Sequence, residues 1–277
     1  MSIRKGLFRD ARDFQIAFLA LFLFLGVWTR DWTIKPIMVA VALGSCIATQ
    51  WLADRLARTE KPSLRSALIT GLSLCLLLRA NSPVTVALAG VLSIGCKFVF
   101  RFRGKHFFNP SNFGIIAVIL LTGDAWITPG QWGNDLWYVL VFFATGGLVT
   151  RKVGRLDTTG TFLGLLALME AARNVWLGWT GDVFTHKMMS GSLLLFAFFM
   201  ITDPRAIPDD RRARIAWAAL VAIITYILRN RYFIPTAPFW ALILLSPLTL
   251  LLDRFRPAGR FEWTPLQVST KPQEVLT

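Results

Sequence analysis

The sequence predicts an all-α polytopic membrane protein, and three observations carry that reading. Hydrophobic residues make up 55% of the 277 residues and charged residues only 17%. The apolar residues gather into runs too many and too long for a soluble core. The basic residues lie in short clusters between those runs, as they do where positive charge orients helices in a bilayer. The same placement argues against nucleic-acid binding despite a net charge of +14.

Ten apolar segments follow in order: Phe14–Thr29, Ile34–Ala53, Ser66–Leu78, Val84–Phe100, Phe113–Leu121, Leu136–Val149, Thr158–Trp179, Met188–Ile201, Ile215–Leu228 and Ala237–Leu252. The first follows Arg4, Lys5, Arg9 and Arg12 but leads into Trp28-Thr29-Arg30-Asp31-Trp32 rather than a small-x-small cleavage site, so it reads as a retained helix. With the N-terminus and every second loop assigned to the cytoplasm, 23 of the 30 basic residues fall inside. That asymmetry predicts ten spans with both termini cytoplasmic. Cys46, Cys75 and Cys96 each sit in an apolar run without CxxC spacing and read as buried thiols. Gly44, Gly71, Gly90, Gly95, Gly146, Gly147, Gly160 and Gly164 read as close helix contacts.

Two segments are too short to cross. Ser66–Leu78 ends in Arg79-Ala80-Asn81-Ser82-Pro83, and the run from Leu193 ends in Thr202-Asp203-Pro204. A helix needs about 20 apolar residues to span the hydrocarbon core. Each short segment precedes a helix and then a proline-opened one, at Phe108-Asn109-Pro110 and at Ile234-Pro235-Thr236. Ser66 to Pro110 is 44 residues and Ser190 to Pro235 is 45. The spacing predicts two repeats of five segments, residues 1–123 and 124–253, followed by a cytoplasmic tail over 254–277. An odd number of segments per repeat inverts the second against the first. Asn109-Pro110 and Thr202-Asp203-Pro204 then open towards the cytoplasm, and Arg79-Asn81 and Pro235-Thr236 towards the outside.

The candidate site residues lie at the cytoplasmic break. Asn109, Ser111 and Asn112 accompany the start of the fifth segment. One of them serves as an N-cap, while two asparagines at a membrane-depth break exceed that need and can donate and accept to a planar heterocycle. Thr202 and Asp203 end the short eighth segment. Asp203 reads either as the carboxylate of a turn or ion pair or as a functional group at a premature helix end. Glu170 is expected to pair with Arg173 on its own helix. His106 and His186 fall on opposite sides of the bilayer, which excludes a bis-His haem. No zinc motif, P-loop or dinucleotide fingerprint is present, so no metal site is expected.

Phe108-Asn109-Pro110 with Gly114, Ser190-Gly191, and Phe198-Phe199-Met200-Ile201-Thr202-Asp203-Pro204 resemble the RnfD/NqrB membrane subunits of bacterial Rnf and Na+-pumping NADH:quinone reductase complexes. The resemblance covers roughly Ser66–Leu252. The stretches Gly104–Pro110 and Thr128–Gly133 look closest to a stand-alone UnbU-like branch. The family implies ten helices in inverted repeats, related in fold to urea transporters, and a flavin. Its complex-forming members attach FMN to a threonine in a Ser-Gly-Ala-Thr-like motif. Here the corresponding loop, Thr122–Asp135, keeps Thr128 but lacks Ser-Gly-Ala, so covalent FMN is not expected. The resemblance therefore implies a bacterial inner-membrane electron-transport protein, a candidate redox subunit. It would hold riboflavin or FMN non-covalently at Asn109, Ser111, Asn112, Thr202 and Asp203, and work with redox partner proteins in the lipid bilayer. Two other classes stay open: a transporter or channel for a small polar solute, and a non-catalytic membrane scaffold.

Overall fold

The computed structural model describes residues 10–30, 34–58, 63–128 and 135–263. Arg4, Lys5 and Arg9, the loop around Glu60, Pro129–Gly133 and the tail beyond 263 lie outside the described residues. Each of the ten apolar segments is helical. The helices are α1 (Ala11–Arg30), α2 (Pro36–Leu56), α3 (Leu64–Leu77), α4 (Pro83–Val99), α5 (Pro110–Thr122), α6 (Leu136–Val153), α7 (Leu156–Trp176), α8 (Gly181–Met188), α9 (Gly191–Leu195), α10 (Arg211–Arg231), α11 (Ala237–Leu245) and α12 (Leu248–Phe255). A π-helical segment, Phe196–Met200, continues α9, and Ile201 N donates to Phe196 O across its wide turn. The chain is a multi-pass membrane protein. Four helices, α1, α2, α6 and α10, are individually long and apolar enough to cross a bilayer.

Local chemistry explains the boundaries. Proline occupies the first turn of α2, α4 and α5, where a missing N–H costs nothing. Ser63, Ser82, Asn109 and Asp210 cap α3, α4, α5 and α10 through their side chains. α6 stops at Gly154, whose φ of 70° lets Arg155 N reach Thr150 O at 2.8 Å.

Two departures from the sequence reading concern bends. The eighth segment is preceded by α8, and the two are bent by 46°. The tenth, Ala237–Leu252, is not one helix: α11 and α12 meet at 47° at Ser246-Pro247, because proline removes a backbone donor and clashes with the preceding turn.

The short helices end in backbone pairing rather than in lipid. α3 has 14 residues and α5 has 13, about 20 Å each against a core of about 30 Å. Beyond them, strand β1 (Leu78–Ala80) pairs antiparallel with β4 (Ala125–Ile127), Arg79 opposite Trp126. This ladder satisfies amides that hydrocarbon could not. A second ribbon, β2 (Arg101–Phe102) with β3 (Lys105–His106), turns through Arg103 and Gly104, both at positive φ, the twist that two-residue hairpins favour.

In the first part of the chain α2 packs on α4, α4 on α5 and α1 on α3; in the second, α7 packs on α10, α10 on α11 and α6 on α9. α1 also meets α6, and α5 meets α11. The π-helical segment is the shared core. Phe199 meets Phe22 of α1 edge-on, and Phe22 lies tilted against Phe142 of α6 with ring centroids 4.3 Å apart. Phe196 lies between Phe162 of α7 and Phe239 of α11. The glycine expectation holds in part. A Cβ on Gly146 would come within 2.5 Å of Phe198, and Gly71 and Gly90 are similarly close to α2. Gly44, Gly95, Gly147, Gly160 and Gly164 have nothing within 4 Å and are not close helix contacts. All three cysteines are free and buried.

Candidate functional site

The β2–β3 ribbon is fastened to the second part of the chain. Lys105 Nζ donates to Asp253 Oδ2 at 2.6 Å and to Ile207 O at 2.6 Å, with Asp209 Oδ2 at 3.1 Å. That anchorage brings His106 Nε2 to 3.6 Å from Asp203 Oδ2, an ion-pair distance too long for a hydrogen bond. Asp203 Oδ1 accepts the Arg205 backbone N–H at 3.1 Å, shaping the turn beyond the π-helical segment. Burial acts to raise the Asp203 pKa, but the His106 ring and the Arg205 N–H outweigh it and hold the carboxyl below its ordinary value.

Asn109 joins the two breaks. Its Oδ1 accepts Asn112 N at 3.0 Å as the α5 cap, and its Nδ2 donates to Met200 O at 3.1 Å. Asn112 Nδ2 donates to Phe239 O of α11 at 3.0 Å, and its buried Oδ1 has no partner among the described residues. Thr202 Oγ1 donates to Phe198 O at 2.6 Å.

These residues border a cavity with an empty volume of about 1250 Å3, including its open mouth. Asn109, Ser111, Thr202 and Asp203 are in its wall, together with Phe98, Phe199 and Trp263. Asn112 is not in the wall; it stands behind Asn109 and ties α5 to α11. At the other pair of breaks, Asn81 Nδ2 donates to Asp124 Oδ1 at 2.9 Å, and Thr236 Oγ1 accepts from Trp240 Nε1 at 3.2 Å.

The cavity contains a polar network that the sequence reading missed. Lys97 of α4 is 5% exposed. Its Nζ donates to Gln50 Oε1 at 2.6 Å and to Ser66 Oγ at 3.2 Å, and Gln50 Nε2 donates to Asp54 Oδ2 at 2.8 Å. Gln50, Asp54, Ser66 and Lys97 all line the cavity. The signal was present: a lysine three residues inside an apolar segment, and Gln50 and Asp54 one helical turn apart. An ionisable group at membrane depth marks a site by default. Counting Lys97 with the loop charges concealed it.

Glu170 corrects a second expectation. It does not pair with Arg173. Glu170 Oε2 accepts Lys187 Nζ at 2.9 Å and Oε1 accepts Asn230 Nδ2 at 2.8 Å, with Arg229 Nη1 at 4.0 Å. Arg173 instead lies over the Trp179 ring, 4.6 Å from its centroid. A carboxylate 2% exposed takes partners from packed helices rather than from its own solvated face.

The sequence profile of the NQR2, RnfD, RnfE family matches residues 126–261. The D subunit of an ion-translocating oxidoreductase complex from Actinobacillus pleuropneumoniae serotype 5b (strain L20) is 24% identical over 131 residues, 47% of this chain and 38% of that protein. The D subunit of the proton-translocating ferredoxin:NAD(+) oxidoreductase complex from Clostridium ljungdahlii is 28% identical over 146 residues, 52% of this chain and 38% of that protein. The ion-translocating oxidoreductase D subunit from Shewanella sediminis is 31% identical over 126 residues, 44% of this chain and 36% of that protein. The chain thus spans under two-fifths of these relatives' length. The matched range includes Thr202-Asp203-Pro204 and begins after Phe108-Asn109-Pro110. Through residues 126–261, the chain is similar to the NQR2, RnfD, RnfE family.

Proposed function

We propose that this protein is an inner-membrane electron-transfer subunit of the RnfD kind that holds a flavin non-covalently in the Lys97–Asp203 cavity and exchanges electrons with partner redox proteins. The observation that carries the proposal is that one cavity wall holds a buried ammonium, Lys97, a carboxylate, Asp203, and aromatic side chains. A flavin supplies electron storage and transfer when bound. Its ring system is flat, with an imide edge that both donates and accepts. The wall fits such a group: Lys97 donates, Asp203 and Ser111 accept, and Phe98 and Phe199 offer apolar faces. Lys97 would counter negative charge gained on reduction, and the apolar faces would exclude water. Thr128 Oγ1 is buried, and its loop lacks Ser-Gly-Ala, which together favour a non-covalent group.

The packing supports two inverted five-segment repeats divided at 123/124. Contacts α2–α4 and α4–α5 correspond in rank to α7–α10 and α10–α11, while α1–α6 and α5–α11 join elements of equal rank. On the charge asymmetry, the Asp203 end and both termini face the cytoplasm.

Visible absorption of gently purified protein tests the function. Flavin bands that leave with small molecules on denaturation and filtration, with no fluorescent band in a denaturing gel, are the expected result. A colourless protein that passes a small polar solute across liposomes would replace this reading with transport.

A further inference from the structure

The charges around the cavity are not balanced. Its wall carries Arg12, Lys97, Arg101 and Arg205 against Asp54 and Asp203. Two of these cations have their charged ends engaged. Arg12 is neutralised by Asp10 and donates to Ser63 Oγ at 3.0 Å. Lys97 serves Gln50 and Ser66. What remains is a pair of guanidinium ends. Arg101 and Arg205 are both exposed at the cavity mouth. Among the described residues neither has a carboxylate within 4.0 Å, although Asp54 and Asp203 attract them from longer range. They stand close enough for the charge on Arg205 to disfavour the charge on Arg101.

Two arginines brought together without a carboxylate cost like-charge repulsion unless an anion joins them. Both are also pre-positioned. The Arg101 guanidinium lies 4.5 Å from the Phe98 ring centroid, with its Nε tethered to α4. The Arg205 backbone is held by Asp203. Each thus offers terminal N–H groups in the fork that matches a phosphate.

We propose that the cavity takes an elongated ligand whose outer end is a phosphate gripped by Arg101 and Arg205, its polar head reaching inward towards Lys97. The identity of the head as a flavin rests on the functional reading above; the phosphate grip does not. The phosphate can be supplied as a monoester on a soluble cofactor or as the diester of a lipid headgroup.

The test uses the full chain in dodecyl maltoside, which carries no phosphate, titrated with FMN and with riboflavin and followed by flavin fluorescence. FMN is expected to bind tighter by roughly tenfold or more, and the double variant Arg101→Gln/Arg205→Gln to bind the two equally. Equal binding by the unmodified protein overturns the grip and leaves the flavin reading standing. Binding of neither flavin overturns the flavin reading, and pyrophosphate then decides the grip. A rise in melting temperature with pyrophosphate, abolished in the double variant, supports it; no rise overturns it. An FMN preference seen in maltoside and lost in phosphatidylcholine nanodiscs, whose headgroup carries a phosphate diester without net charge, supports the grip and assigns its phosphate to lipid.

Discussion

Asn109 Nδ2 donates to the Met200 carbonyl at 3.1 Å while Asn109 Oδ1 caps α5 through Asn112 N at 3.0 Å. One side chain therefore closes a helix start and the last turn of the π-helical segment together. Asn109→Ala is expected to remove a cap worth about 1 kcal/mol and one hydrogen bond, worth about 0.5–1.5 kcal/mol, to a carbonyl that still accepts Asp203 N at 3.3 Å. A destabilisation of about 1.5–2.5 kcal/mol follows, read as melting temperature in detergent. Flavin affinity per folded molecule should change little. A variant that melts normally but binds weakly would make Asn109 a ligand contact instead.

Glu170 makes a similar claim at the other end of the bundle. Glu170→Gln leaves the half-buried Lys187 and Arg229 without their counter-charge, at about 1.5–3 kcal/mol. Arg173→Ala removes only a contact with Trp179, worth up to about 1 kcal/mol. Thermal unfolding of both variants checks the order. Equal losses would restore a Glu170–Arg173 partnership.

These two cases show what was legible in the sequence. The helices were legible because each apolar run is bounded by proline, glycine or a capping side chain, all local signals. Asn109 was legible as a cap because proline follows it. Its bond to Met200 was not, because the partner is a backbone carbonyl in a distant segment. Lys97 and Glu170 failed for a related reason. Local spacing offered each a plausible setting, a loop cluster and an i,i+3 pair, while packing supplied partners from other helices. The Ser246-Pro247 bend had a local cause in its proline, but hydropathy reads through it.

Asp124 should make its own end of the bundle acid-sensitive. Its carboxylate accepts Thr85 Oγ1 at 2.7 Å, Asn81 Nδ2 at 2.9 Å and Ser82 N at 3.1 Å. The Thr85 and Asn81 hydrogen bonds hold its pKa below the ordinary 3.8. A depressed carboxyl stabilises the fold above its unfolded pKa and loses that contribution as pH falls through the folded one. Unmodified protein should therefore melt above Asp124→Asn at neutral pH, and the gap should close on acidification below 3.8. A gap independent of pH would mean that the carboxylate charge contributes nothing.

Orientation can be measured directly. Cys46, Cys75 and Cys96 are buried and are first replaced by alanine. Single cysteines at Arg103, Arg155 or Arg211 are expected to react with an impermeant reagent only from the cytoplasmic face, and one at Asn81 or Lys187 only from outside. Outside labelling at Arg211 would break the inverted arrangement.

Lys97 gives the sharpest separation between a structural and a functional cavity. It is a buried cation within a membrane helix whose nearest partners, Gln50 and Ser66, are neutral. Burying an ammonium is itself costly, so an apolar replacement of similar length need not destabilise. Lys97→Met is expected to melt close to the unmodified protein, with the loss at Gln50 Oε1 offset by relief of desolvation. Flavin affinity should fall by roughly 5- to 150-fold, since a polar edge of the ligand would lose its donor. The reduction potential of the bound flavin should also fall, because a positive charge beside the ring favours the reduced form. A purely structural Lys97 would do the reverse: the variant would melt early, yet bind flavin with unchanged affinity and potential. That result would detach the cavity from electron transfer.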